Sequence, residues 1–160
     1  MLFLQDLCKI CMKQGVSIAV AESCTSGIIA SKITSIPGSS SYFKGGIIAY
    51  QNEIKKKLLG VSEDLMNKKT EVSSEVVSQM ANSVRKSFFA DYSVATSGYA
   101  GPTGGTLNNP IGTVFIAITN SINTEVNRFV FEGSRDSIVN QASDKALELL
   151  CYAIKNSNKL

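Results

Sequence analysis

The sequence contains no histidine among its 160 residues. That absence removes the commonest general base and metal ligand, and with it every Ser-His-Asp arrangement. No stretch reaches the roughly 18–20 consecutive apolar residues of a membrane span. The opening MLFLQDLCKICMKQG is broken by Gln5, Asp6 and Lys9, so it reads as an amphipathic helix rather than a secretory signal. Basic residues form no block beyond Lys55-Lys56-Lys57, and the net charge is +3. A nucleic-acid surface is therefore not expected, and a small anionic ligand fits the mild positive balance better. Linkers, internal repeats and low-complexity segments are also missing. The expectation is one soluble, cytoplasmic domain over residues 1–160, with no nucleic-acid or membrane partner.

What is present is enough apolar material for a core: 44% hydrophobic residues against 18% charged, well away from the composition of disordered chains. The cysteines at 8, 11, 24 and 151 include a C-x-x-C, but it lies in a helical pattern rather than after a strand. They read as small buried hydrophobes in a reducing compartment.

Apolar spacing predicts a helix from Leu2 through Leu4, Leu7, Ile10 and Cys11, stopped by Gly15. Strands are predicted at 16–22, 42–50, 92–98, 111–119 and 124–133. Helices are predicted at 28–34, at 51–60 with a Gly60 cap, from Ser73 or Ser74 to Phe89, and from Ser134 or Asp136 onward. Gly45-Gly46 marks a bulge or a close backbone approach. Strands and helices alternate at first, then two strands meet directly. This predicts an α/β fold, a three-layer α/β/α domain with a mixed, mostly parallel sheet.

In such sheets ligands gather at the C-terminal ends of strands. Three polar loops leave strand ends: 22–27 (Glu22, Ser23, Cys24, Thr25, Ser26, Gly27), 50–53 (with Tyr50 and Asn52), and 97–105 (with Ser97, Gly98, Tyr99 and Gly101). The first and third are rich in Gly, Ser and Thr and match neither the P-loop nor the dinucleotide glycine pattern. Each is either a cradle of backbone N–H groups or a tight structural turn. Without histidine, a serine nucleophile needs another base. A lysine serves if burial or a neighbouring cation lowers its pKa from about 10.4 toward about 7–8. The stretch GSSSYFKGGIIAYQNEIK (38–55) offers serines, Tyr50 and Lys55. Spacing alone leaves open a catalytic set or a serine turn followed by a solvated lysine face.

The motifs AESCTSG (21–27), PGSSSYFKGGIIAYQNEIK (37–55), LLGV (58–61), SGYAGPTGGT (97–106) and NPIGTVF (109–115) resemble the CinA C-terminal domain family, in order and over nearly the whole chain. That competence/damage-inducible family has nicotinamide-nucleotide amidase as its characterised activity. The resemblance implies hydrolysis of nicotinamide mononucleotide to nicotinate mononucleotide and ammonia, in pyridine-nucleotide recycling, by a Ser/Lys dyad with a helping Tyr. It implies Ser40 as nucleophile, Lys55 as base and Tyr50 as assistant. It implies Glu22, Ser23, Thr25, Ser39, Asn52, Ser97, Gly98, Gly101 and Arg135 around the substrate, with Ser39–Ser40 or the glycine loop holding the oxyanion. No metal or cofactor is implied, and the implied partner is a second copy in a homodimer. Larger members carry an N-terminal domain linked to pyrophosphatase chemistry, an activity not carried over to these residues.

Departures from the family pattern fall at Ser26 (usually Gly), Tyr99 (Ile), Asn108 (Lys), Ser134 (Asp), and Val139 and Asn140 (arginines). They motivate two other readings, a non-catalytic nucleotide-binding or interaction module and an amidase for another small carboxamide. Lost cations would weaken phosphate binding where they face the ligand, and Tyr99 would stack on the pyridine ring or narrow the pocket.

Overall fold

Alternation inside the strands builds the layers. In β1 (Ile18–Glu22, IAVAE) the bulky Ile18 and Val20 point one way and the small Ala19 and Ala21 the other. β3 (Tyr92–Gly98) and β4 (Thr113–Thr119) repeat the pattern, with Val94, Val114, Ile116 and Ile118 on the bulky face and Ala95 and Ala117 on the small one. The bulky face packs against α1 (Leu2–Gln14), α2 (Ile28–Thr34) and α6 (Arg135–Asn156). The alanine face lies under α5 (Ser74–Ser87), whose Val76, Val77, Met80, Ala81 and Val84 are all buried. α3 (Asn52–Leu59) and α4 (Glu63–Lys69) join α5 on that side through Leu59 and Met66. A strand carrying apolar side chains on both faces demands cover on both, which gives three layers.

The computed structural model describes residues 2–157, Leu2 by its backbone alone. The side-chain role expected for Leu2, and both ends of the expected 1–160 domain, lie outside the described residues. The sheet order is β2-β1-β3-β4-β5, with β2 spanning Phe43–Ile48 and β5 spanning Thr124–Val130. β1 pairs in parallel with β2 and β3, whereas β3–β4 and β4–β5 are antiparallel. The sheet is thus mixed, its pairings divided evenly. Among the described residues no helix is long and apolar enough to cross a membrane.

Gly45 and Gly46 fulfil both sequence expectations. The β1–β2 register shifts between Ile18 and Ala19, skipping Lys44 just before Gly45, whose φ is +128°. A Cβ at Gly46 would stand 2.6 Å from the Val20 carbonyl oxygen, so the two edge-side strands approach as closely as only glycine permits. Gly60 (φ +60°) closes α3, and Ser73 and Ser134 accept N-cap hydrogen bonds from Val76 and Ser137. Helix α4 has no counterpart in the apolar periodicity. Its signals were its ends: Ser62 accepts from Leu65 N, Glu63 and Asp64 occupy the first turn, and Lys68 and Lys69 the last. The four cysteines are free and buried.

Candidate active site

A cavity of about 250 Å³ opens at the C-terminal ends of β1 and β3, the edge at which open α/β sheets place ligands. Ser23 and Cys24 line it from the β1 loop, Tyr50 from the end of β2 and Lys55 from α3. Ser97 and Gly98 come from the end of β3, Tyr99, Ala100, Gly101 and Thr103 from the loop after it, and Arg135 from the start of α6. A larger cavity of about 740 Å³, beside Lys13, Arg85, Asp91 and Lys155, contains none of the expected residues. It lacks the glycine loops, and its lysines, Lys13 and Lys155, are not the buried Lys55.

Lys55 is the centre of the smaller cavity. Its side chain is only 1% exposed, the largest fully buried one among the described residues. The amine donates to the Tyr50 carbonyl oxygen at 3.2 Å and to Asn52 Oδ1 at 3.4 Å. Neither acceptor is anionic, and among the described residues Lys55 makes no salt bridge. Burial therefore pulls its pKa below the ordinary lysine value, although the charge of Glu71 and then the Cys24 thiol oppose the shift. A buried lysine without a paired carboxylate is the condition under which an amine is free to accept a proton. Cys24 is not a competing nucleophile, because burial pushes its thiol up to about 12.

Arg135 sits on the rim, one residue past the α6 cap. Its guanidinium donates to the Gly101 carbonyl at 2.6 Å and to the Tyr50 hydroxyl at 2.8 Å, tying the glycine loop to β2. Tyr50 thus meets Lys55 through its backbone carbonyl, while its phenol is held by Arg135. Ser97 donates to the Glu71 carbonyl at 2.7 Å, and Asn109 to the Val72 carbonyl at 3.3 Å. These bonds fold the α4–α5 connection over the end of β3 and bring Glu71 and Val72 into the cavity wall. The sequence reading missed both, since no local pattern says that this connection crosses a strand end. Gly98 lets the end of β3 lie close against β4: a Cβ there would lie 2.5 Å from the Thr113 carbonyl oxygen.

Several expected residues lie elsewhere. Glu22 is fully buried but does not line the cavity, because its carboxylate caps α2. Its oxygens accept from Gly27 N (2.9 Å), Ile29 N (3.1 Å) and Ala30 N (2.8 Å). Thr25, also fully buried, shares a 2.8 Å hydrogen bond with Thr96 and latches the β1 loop to β3. Asn52 is exposed and reaches the site only through Lys55. Ser39 and Ser40 sit in a 3₁₀ turn, Ser39–Ser41, before β2, whereas Tyr50 and Lys55 follow its end. Tyr42 O accepts from Ile18 N at the start of β1, and Ala49 N donates to Glu22 O at its finish, both at 2.8 Å. One chain therefore holds the serine turn and the lysine at opposite ends of β2.

The departures sort by position. Ser26 adopts φ +52°, a left-handed conformation that glycine takes without strain. Ser134 caps α6 as an aspartate would. Tyr99 lines the cavity. Val139 is buried in the core, Asn140 donates to the Asp136 carbonyl, and the Asn108 carbonyl accepts from Arg128; none of these three lines the cavity.

Residues 3–154 match the model of the CinA C-terminal domain. A CinA-like protein of Desulfotalea psychrophila is 45% identical over 139 residues, covering 87% of this chain and 34% of the relative. A CinA-like protein of Flavobacterium psychrophilum is 42% identical over 152 residues, covering 94% of this chain and 36% of the relative. The chain thus spans about a third of the length of the curated relatives it matches. The crystal structure of a competence or damage-inducible protein from Enterobacter asburiae superposes with a TM-score of 0.91 at 31% identity, covering 95% of this chain and 96% of that one. That of the competence damage-inducible protein A from Klebsiella pneumoniae gives 0.93 at 28%, covering 97% and 96%.

Proposed function

The chain belongs to the CinA C-terminal domain family, and on that premise we propose that it is an amidohydrolase converting nicotinamide mononucleotide into nicotinate mononucleotide and ammonia. The observation that carries the reading is Lys55: an amine buried to 1% exposure, with its pKa lowered by desolvation, in a protein without histidine. Its neutral form takes the proton of the Ser40 hydroxyl as the serine oxygen attacks the carboxamide carbon. The tetrahedral intermediate collapses with cleavage of the C–N bond, and the lysine returns its proton to the departing nitrogen, which leaves as ammonia. Water, deprotonated by the same amine, then attacks the acyl ester and releases the carboxylate and free Ser40. The sum is amide plus water to acid plus ammonia, with no redox change.

The cavity is small beside the roughly 300–1,000 Å³ typical of ligand sites, so it suits the pyridine ring with its carboxamide. Tyr99 offers that ring an aromatic wall. Ribose and phosphate then project past the glycine loop toward Arg135, whose planar fork suits a phosphate. The test is product identification after incubation with nicotinamide mononucleotide, its riboside lacking the phosphate, and simple carboxamides. The reading predicts ammonia and nicotinate mononucleotide in equal amounts, with the riboside a much poorer substrate. Ligand-induced thermal stabilisation without turnover would instead make this a binding module. Turnover of other carboxamides alone would move the substrate assignment.

A further inference from the structure

Resting on the reading of Ser40 as nucleophile and Lys55 as base, we propose that the active site is shared between two copies of this chain, each supplying its serine turn to the other's lysine pocket. Within one chain the dyad does not close. The six residues of β2 separate the serine turn from the turn that carries Tyr50, and at about 3.3 Å per residue that is a separation of roughly 15 Å or more. A base must come within about 3 Å of the hydroxyl, or one water away. No rotamer of Ser40 or of the buried Lys55 spans the difference. Ser40 itself is exposed, and among the described residues its hydroxyl has no partner in its own chain, whereas the neighbouring Ser41 hydroxyl is tied to the Gly38 carbonyl.

The position of β2 supplies the remedy. It is an edge strand, paired only with β1 among the described strands. If two copies meet along this edge about a two-fold axis, their β2 strands run antiparallel. The start of each then faces the end of the other. Ser40 of one copy arrives beside Lys55 of the second, and symmetry builds the same site twice. The surface has apolar groups at both ends of this edge. Ile48 (55% exposed) and Tyr50 (55%) lie at or just after the end of β2. Phe89 (91% exposed) belongs to the other end, because its neighbour Phe88 packs against Gly45 near the start of the strand. Antiparallel docking sets each group toward its complement and covers an unpaired strand edge. It also adds a wall to a cavity that is small for a nucleotide.

The test is complementation. Ser40→Ala and Lys55→Met chains with different affinity tags are purified separately and as a doubly tagged heterodimer from co-expression. Each single-variant protein is expected to be inert toward nicotinamide mononucleotide. The heterodimer is expected to regain roughly half the wild-type rate, because one of its two sites holds an intact serine and an intact lysine. Sites built within single chains would leave that heterodimer as dead as its parents, which overturns the sharing and leaves the dyad standing. A fully active Ser40→Ala protein overturns the dyad and the sharing together. A second measurement needs no turnover: Ser40→Cys and Tyr50→Cys in one chain, treated with a short bismaleimide. Shared sites predict covalent dimers from the double variant and few from either single variant. Monomers alone from the double variant would overturn the arrangement.

Discussion

Lys55 joins two consequences in one side chain. Because its folded pKa is depressed, the unfolded chain binds the proton more tightly than the folded one between the folded value and about 10.4. Stability therefore rises with pH through that window, and the burial penalty is fully present below the folded pKa. Lys55→Met removes the penalty and keeps the volume. It is expected to raise the Tm at neutral pH, with the gain shrinking as the pH approaches 10, as calorimetry across pH will register. The same depression puts the rising limb of the wild-type kcat/KM profile below the ordinary lysine pKa. This residue was legible only in part. The missing histidine and the motif singled it out, but that it was the buried member of Lys55-Lys56-Lys57 depended on α3 packing Lys55 and Leu59 inward while Lys56 and Lys57 stayed exposed.

At the scale of elements, the β1–α2 connection shows why a loop rich in polar groups is ambiguous in sequence. Glu22 ends a strand within the family's Glu-Ser-Cys-Thr motif, and that setting suggested substrate binding. The structure gives it to the three free N–H groups that open α2. A short helix beginning after a glycine in left-handed conformation, with no side-chain cap of its own, leaves those donors buried and in need of an acceptor. Glu22→Gln replaces one carboxylate oxygen with an amide nitrogen that cannot accept. It is expected to cost about 1.5–3 kcal/mol of stability, measured by denaturant unfolding, with the Michaelis constant of the remaining folded enzyme little changed. Helix α4 teaches the converse: caps and terminal charges alone marked it, and a reading built on apolar periodicity passed over it.

At the scale of the whole molecule, the layers were legible because strands that alternate Val or Ile with Ala must be covered on both sides. The loops leaving β1 and β3 were legible as a candidate site because open sheets gather ligands there. What the linear sequence could not convey is direction. GSSSYFKGGIIAYQNEIK reads as one compact motif, yet its serines and its lysine flank a strand and so stand at its opposite ends. On the proposed shared site, a motif that is contiguous in sequence would be completed by a neighbouring copy across the edge strand, a property of the assembly rather than of the chain. The central claim, that a buried amine drives amide hydrolysis here, is tested most directly by the initial rate of ammonia release from nicotinamide mononucleotide, wild type against Lys55→Met under identical conditions. The account predicts steady release from the wild type and a fall of at least about a hundred-fold in a variant that melts no lower. Equal rates from the two proteins, or no release from a well-folded wild type, would contradict it.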